Sequence, residues 1–212
     1  MAQAPNSDSV IADRIVTWAS QEKLQDFPAW LKRYPNFIPQ AGAQEPHVRV
    51  AENDTLRAQY EASLRGVCDL FQITPEVVVL DEPGLTLFVV GSKRVAISLG
   101  FRKTKPAELR ALLLQEFVLA SLRQALATAK PRDAYELKLQ AYFIAAVASL
   151  KMDNNKDALF TALNLRYQID LQLGIPLARE GVSQASRKYA TERAYEYFTG
   201  NRPENLTSIK KR

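Results

Sequence analysis

The chain has 212 residues, of which 47% are hydrophobic and 24% are charged. This balance is typical of a folded globular protein and lies far from the low-hydrophobicity, high-charge compositions of disordered chains. The net charge of +5 comes from 28 basic and 23 acidic residues that are dispersed along the chain, so charge gives little support to nucleic-acid or membrane-surface binding. The one tight basic cluster is Lys210, Lys211 and Arg212.

Cysteine usage and hydropathy favour a cytoplasmic or other reducing intracellular compartment. Cys68 is the only cysteine, so neither an intrachain disulfide nor a cysteine-based zinc site can form. The first six residues contain no apolar signal region, which argues against secretion. The most apolar stretches, 112–122 and 139–150, are flanked or interrupted by polar and charged residues and are too short to span a membrane, so they predict buried helices.

The first fifty residues predict a short helix followed by an irregular arm. Residues 9–21 can form a helix with apolar side chains on one face. Over 27–50, four prolines alternate with large apolar residues, which disfavours regular structure but supplies anchors for packing. Such an arm either wraps its own domain or docks on a partner protein. The candidate partner contacts are Trp18, Phe27, Trp30, Tyr34 and Phe37.

The middle of the chain predicts a helix, three strands and a second, longer helix. The β-branched run Val77, Val78 and Val79 favours a strand, and Gly91 lies in the turn of an expected hairpin. Pro106 is well placed in the first turn of a helix, where its missing N–H has no intrahelical partner. The predicted elements are a helix over 54–71, strands over 76–80, 85–90 and 94–99, and a helix over 107–128.

The rest of the chain predicts three helices and a polar, basic tail. The segment 134–151 is apolar nearly all round, which indicates a helix buried on most sides. Gly174 and Gly200 mark the ends of two further helices, over 156–173 and 182–199. The chain therefore divides into an N-terminal helix and arm (1–50), a folded domain (51–200) and a tail (201–212).

This order of elements resembles the core of the zinc metallopeptidases that include HtpX and the CAAX prenyl proteases. The similar features are the strand at 75–80, the hairpin at 87–100 and the helix at 107–114, which in that family leads into the metal-binding sequence His-Glu-x-x-His. The resemblance implies an α+β, zincin-like domain. Its short sheet would pack on a long helix, with a helical C-terminal half and an extended N-terminal arm.

The positions that match the metal-binding motif have lost their ligands. Gln115 and Leu119 lie where the family has its two histidines, and Glu116 lies where it has the general-base glutamate. The family's third ligand belongs to a Glu-x-x-x-Asp sequence, which Glu136 and Gln140 resemble. Catalytic zinc needs about three protein ligands, but leucine cannot ligate and a neutral glutamine is a poor ligand for zinc. We therefore expect no metal and no cofactor.

Glu116 lies within the apolar stripe of its predicted helix. A buried carboxylate needs a cation, hydrogen bonds or a raised pKa, because an isolated buried charge is costly. We expect an arginine or lysine, or polar partners such as Gln115 and Gln140, to fill the space that the metal takes in the family. The alternative is a solvated position for Glu116 at the edge of the helix.

These observations predict a non-catalytic, metallopeptidase-like protein that acts as a structural or adaptor subunit through protein–protein contacts. Two alternatives stay open. The first is a hydrolase that uses Glu116 and Glu136 as a carboxylate pair. The second is a subunit of a ribonucleoprotein that uses the basic residues of the C-terminal helix and tail, whose binding would depend steeply on salt.

Overall fold

The computed structural model describes residues 7–34, 49–90, 92–122, 128–172 and 182–200. Over these ranges the prediction of a mixed α+β fold is confirmed, since seven α-helices accompany a small three-stranded sheet. In chain order the elements are α1 (Ser7–Gln21), α2 (Phe27–Arg33), α3 (Asp54–Phe71), β1 (Glu76–Leu80), β2 (Leu87–Val90), β3 (Arg94–Ser98), α4 (Pro106–Ser121), α5 (Pro131–Asp153), α6 (Lys156–Gln172) and α7 (Gln184–Thr199).

The sheet has the strand order β1-β3-β2. β2 and β3 form the predicted antiparallel hairpin, and β1 pairs with β3 in parallel, so that Val78 lies opposite Ala96. β2 begins two residues later than predicted because the backbone amides of Leu85 and Thr86 donate to side chains and not to the backbone of β3. Their amides donate to Oε1 of Gln172 and to Oγ of Ser98, both at 2.9 Å.

Two helices form the centre of the core. α4 packs against α3, α5, α6 and β2, and half of its residues are buried. α5 is buried at every residue over 141–150, which confirms the helix expected from its apolar sequence. α5 has 23 residues, yet neither it nor any other helix in the described ranges is both long and apolar enough to cross a membrane.

The start of the predicted irregular arm is helical. α2 begins after Asp26, whose carboxylate accepts a hydrogen bond from the amide of Ala29, and Pro28 lies in the first turn, where proline is tolerated. Phe27 is fully buried, and its ring stacks on that of Trp30 at 5.5 Å between centroids. The prediction of irregular structure is therefore wrong for these seven residues. The rest of the arm, over 35–48, lies outside the described residues.

The first and last described helices are bound to each other. α1 packs on α5 and α7. The hydroxyl of Tyr197 donates to the carbonyl of Ala19 at 2.9 Å and accepts from the amide of Gln25 at 3.3 Å. Gln25 also donates from Nε2 to the carbonyl of Tyr197 at 2.9 Å. The N-terminal helices are thus part of the same packed core as the C-terminal one.

Gly100, at the start of the turn after β3, offers a test of this packing. A Cβ at this position would overlap the carbonyl oxygen of Gly84, and backbone cannot easily move aside. We expect Gly100→Ala to lower the free energy of unfolding by about 1–3 kcal/mol, measured by urea denaturation. The control is Gly66→Ala, because a Cβ there meets the flexible Met152 side chain at 3.2 Å and alanine favours the helix. An equal loss of unfolding free energy in both variants would contradict the close approach of Gly100 to the carbonyl oxygen of Gly84.

Candidate functional site

A cavity of about 470 Å³ lies between β2, the C-terminal half of α4, and helices α5, α6 and α7. One side is apolar and is formed by residues of β2, by Leu119 and Ala120 of α4, and by Val182 just before α7. The other side carries Glu116 of α4 and the charged and polar side chains that α5, α6 and α7 contribute. An amphipathic cavity of this size is typical of small-molecule sites.

A buried ion network forms the polar side of the cavity. Arg166 of α6 pairs through Nη1 with Oε1 of Glu116 and through Nη2 with Oδ1 of Asp170, the latter at 3.0 Å. Arg187 of α7 donates from Nη1 to Oδ2 of Asp170 at 2.5 Å. The side chain of Asp170 is only 2% exposed. Three helices are therefore connected by charges that water hardly reaches.

Helix geometry and capping bring these groups together. Arg166 and Asp170 are one turn apart and therefore lie on the same face of α6. α7 begins at a cap in which Oγ of Ser183 accepts from the amide of Ser186 at 3.1 Å. This cap fixes the start of the helix and places Arg187 in its first turn. The guanidinium of Arg187 then lies 5.3 Å from the ring centroid of Tyr142.

The surroundings of the network determine the protonation states of Arg166 and Tyr142. Burial by itself would lower the pKa of Arg166, but the negative groups around it, first among them Glu116, outweigh burial and raise the pKa above its ordinary value. Burial raises the pKa of Tyr142, while Arg187 and Arg166 oppose the rise. At neutral pH the guanidinium is therefore charged and the phenol is protonated.

Glu116 has the cationic partner that the sequence predicts. Its side chain is 13% exposed and pairs with Arg166, so the expected basic neighbour is confirmed and the solvated position is wrong. Leu119 lines the same cavity, whereas Gln115 is buried outside the cavity lining. The Oε1 atom of Gln115 has no hydrogen-bond partner.

The other two motif positions lie elsewhere. Oε2 of Glu136 accepts a hydrogen bond from Arg14 of α1 at 2.8 Å. Gln140 is half-buried and does not line the cavity. The structure thus brings Glu116 and Leu119 together and places Glu136 and Gln140 away from them.

The residues around Glu116 do not fit a catalytic zinc ion. Leu119 has no donor atom, and the neighbour of the Glu116 carboxylate is a guanidinium. In the part of the chain that the structure describes, no three or more His, Cys, Asp and Glu side chains form a group that could hold a metal. A metal site of the kind that the resemblance implies therefore lacks its ligands here.

The aromatic residues predicted to contact a partner divide into buried and exposed groups. Phe27 and Trp30 are buried within the chain itself. Trp18 is half-buried and meets the Trp30 ring edge-on at 6.3 Å. Tyr34 is 41% exposed, and its hydroxyl donates to Glu22 at 2.7 Å. Phe37 lies outside the described residues.

The C-terminal helix directs its main basic and aromatic side chains inward or into ion pairs. Arg187 and Tyr197 are buried. Arg193 pairs with Asp13 at 3.3 Å and with Glu196 at 2.8 Å. The tail with Lys210, Lys211 and Arg212 lies outside the described residues.

Sequence reasoning missed most of the polar side of the cavity. Neither Arg166 nor Asp170 is identified from the sequence, and Arg187 is included only among the basic residues of the C-terminal helix that a ribonucleoprotein subunit would use. The available signal was an opposite-charge pair one turn apart, but such pairs are also common on solvated helix faces.

Comparisons of this chain with protein-family models, with curated proteins and with solved structures returned no match. The geometry of the cavity and its ion network is therefore the basis for assigning a function.

Substitution of Arg166 tests how much the ion network contributes to the free energy of unfolding. Arg166→Met leaves the Glu116 carboxylate largely buried without a cation, so we expect a loss of about 3 kcal/mol in the free energy of unfolding. Adding Glu116→Gln removes that uncompensated charge, and the double variant should recover part of the loss. Urea denaturation of both single variants and the double variant measures the coupling.

The matched control for the network is the exposed pair of Arg57 and Asp54 on α3, separated by 2.5 Å. Arg57→Met should change the free energy of unfolding by less than about 1 kcal/mol. A loss for Arg166→Met as small as this, or strict additivity in the double variant, would contradict a stabilising network.

Gln115 offers a second stability test. Its buried amide oxygen lacks a hydrogen bond, which costs about 1–3 kcal/mol relative to a satisfied or apolar group. Methionine has a similar shape without the amide, so Gln115→Met should raise the free energy of unfolding by about 1 kcal/mol. Thermal and urea unfolding check the change, and a clear destabilisation would mean that the amide is satisfied in solution.

Proposed function

We propose that the chain is a non-catalytic, metallopeptidase-like protein that acts as a structural or adaptor subunit of a protein assembly. The observation that carries this proposal is the ion pair between Glu116 and Arg166. In the family that the sequence resembles, the equivalent glutamate activates a zinc-bound water. Here the carboxylate is engaged by a guanidinium. Leu119, which the resemblance aligns with a zinc-binding histidine, lines the same cavity and has no donor atom.

The arrangement of the central elements supports the resemblance. α3, a short sheet with a hairpin and the proline-led α4 follow one another in the order that the family has. α4 packs against β2 and against α5. The likeness in order and packing concerns the fold, so the function depends on the site itself.

Measuring bound zinc tests the proposal that the chain does not catalyse zinc-dependent hydrolysis. We expect protein purified with added zinc and then dialysed to retain far less than one zinc ion per chain, measured by elemental mass spectrometry. Peptide hydrolysis should not differ between the natural chain and Glu116→Gln. Stoichiometric zinc that is lost in Glu116→Gln would contradict the proposal.

A hydrolase that pairs Glu116 with Glu136 has less support. These carboxylates bind different arginines, Arg166 and Arg14, on different helices. If hydrolysis is detected and both Glu116→Gln and Glu136→Gln abolish it, this alternative replaces the proposal.

Tyr34 is the partner contact that we propose among the described residues. It is the exposed member of the predicted aromatic set, and tyrosine is enriched at protein interfaces. Deletion of the whole N-terminal segment is an unsuitable test, because Ile15, Ala19 and Phe27 belong to the core. A point substitution leaves that core intact.

Tagged chains isolated under native conditions test the adaptor role. We expect a co-purifying protein at a fixed stoichiometry with the natural chain, and its clear depletion with Tyr34→Ser. Leu171→Ser is the matched control, since Leu171 has a similar exposure of 48% on α6. Equal retention by both variants would exclude Tyr34 as the contact, and a chain that is isolated alone as a monomer would contradict the adaptor role.

A further inference from the structure

The proposed adaptor function assigns no ligand to the cavity between β2 and helices α4 to α7. Its volume of about 470 Å³ is within the range of small-molecule sites. Phe88, Leu119 and Val182 lie on its apolar side, and the guanidinium groups of Arg166 and Arg187 belong to its polar side. A ligand that fits both sides must combine an apolar body with a polar or charged group.

The polar side has a surplus of hydrogen-bond donors. Arg187 is 8% exposed and has five N–H groups, of which Nη1 donates to Asp170. Its Nε is buried without a hydrogen-bond partner, and the same is true of Nε of Arg166. Asp170 serves both guanidinium groups. Oδ1 of Asp170 also forms no hydrogen bond, but it lies 3.0 Å from Nη2 of Arg166 in their ion pair, so the two Nε groups are the donors without an acceptor beside them. Such buried donors favour an incoming group that supplies acceptor oxygens.

The charges restrict the class of ligand. The guanidinium groups of Arg166 and Arg187 share the cavity lining with the carboxylates of Glu116 and Asp170. These carboxylates repel a phosphate dianion more strongly than a ligand with a single negative charge. The geometry of a guanidinium also matches the two oxygens of a carboxylate.

From the two buried Nε donors without a hydrogen bond and from the geometry of the guanidinium groups we propose that the cavity binds a small organic monocarboxylate. The ligand's carboxylate accepts hydrogen bonds from Arg187, and its apolar body packs against Leu119, Val182 and Phe88. The ligand thereby supplies acceptors to donors that have no hydrogen-bond partner among the described residues.

Fluorine NMR of para-fluorobenzoate with the full chain tests this proposal directly. We expect its signal to shift or broaden at millimolar concentration and to be restored by excess hexanoate, which competes for the same cavity. The isosteric neutral probe para-fluorobenzamide should bind about tenfold more weakly or worse, because it cannot form the charge-assisted hydrogen bonds. Inorganic phosphate should not displace para-fluorobenzoate.

Two arginine variants locate the site. Arg187→Met should weaken para-fluorobenzoate binding by about tenfold or more, and Arg187→Lys should weaken it less. Arg110→Met is the control, because Arg110 forms a similar two-bond pair with Asp153, at 2.8 and 2.6 Å, outside the cavity. This variant should bind para-fluorobenzoate like the natural chain.

Three outcomes would overturn the proposal. They are the absence of binding by para-fluorobenzoate and hexanoate, equal binding of the amide, and unchanged binding in a folded Arg187→Met variant. If Arg187→Met does not fold, the comparison of acid and amide on the natural chain still decides the question. Displacement by phosphate would replace the carboxylate site with a general anion site.

Discussion

The burial of Glu116 on α4 constrains the arrangement of the surrounding helices. A carboxylate among apolar side chains is stable only beside a cation, and Arg166 of α6 supplies it. Arg166 is itself largely buried and requires Asp170 as a further counter-charge. Asp170 in turn pairs with Arg187 of α7. Each buried charge therefore depends on the next, and the series fixes α6 and α7 relative to α4.

Local signals account for the elements that the sequence predicted well. The apolar face of α3 and the β-branched run of β1 define those elements without reference to the rest of the chain. Pro28 was misinterpreted because proline disrupts regular structure at most positions but is accepted in a first helical turn. Whether a proline breaks a helix or begins one depends on the cap beside it, here the weak signal of Asp26.

The sequence predicts that Glu116 needs a cationic partner, but it does not predict which residue supplies the cation. Sequence periodicity placed Glu116 in an apolar stripe, and electrostatics then demanded a cation. The cation lies 50 residues later along the chain, so its identity depends on tertiary packing that periodicity cannot supply. On α5, Lys138 and Tyr142 face the cavity, while Glu136 is two residues from Lys138 and so points to nearly the opposite side. Packing of α5 directs Glu136 toward Arg14 instead.

The hydrogen bond between Tyr197 and Ala19 has a consequence for synthesis on the ribosome. It joins residues 178 positions apart, and α1 packs on α7 as well as on α5. When α1 emerges during translation, the helix α7 that will cover part of it has not yet been synthesised. Part of the apolar face of α1 therefore stays exposed, or bound by a chaperone, until α7 is complete. Folding of this core is expected to finish late in translation, and a ribosome that stalls before α7 would release a chain prone to aggregation.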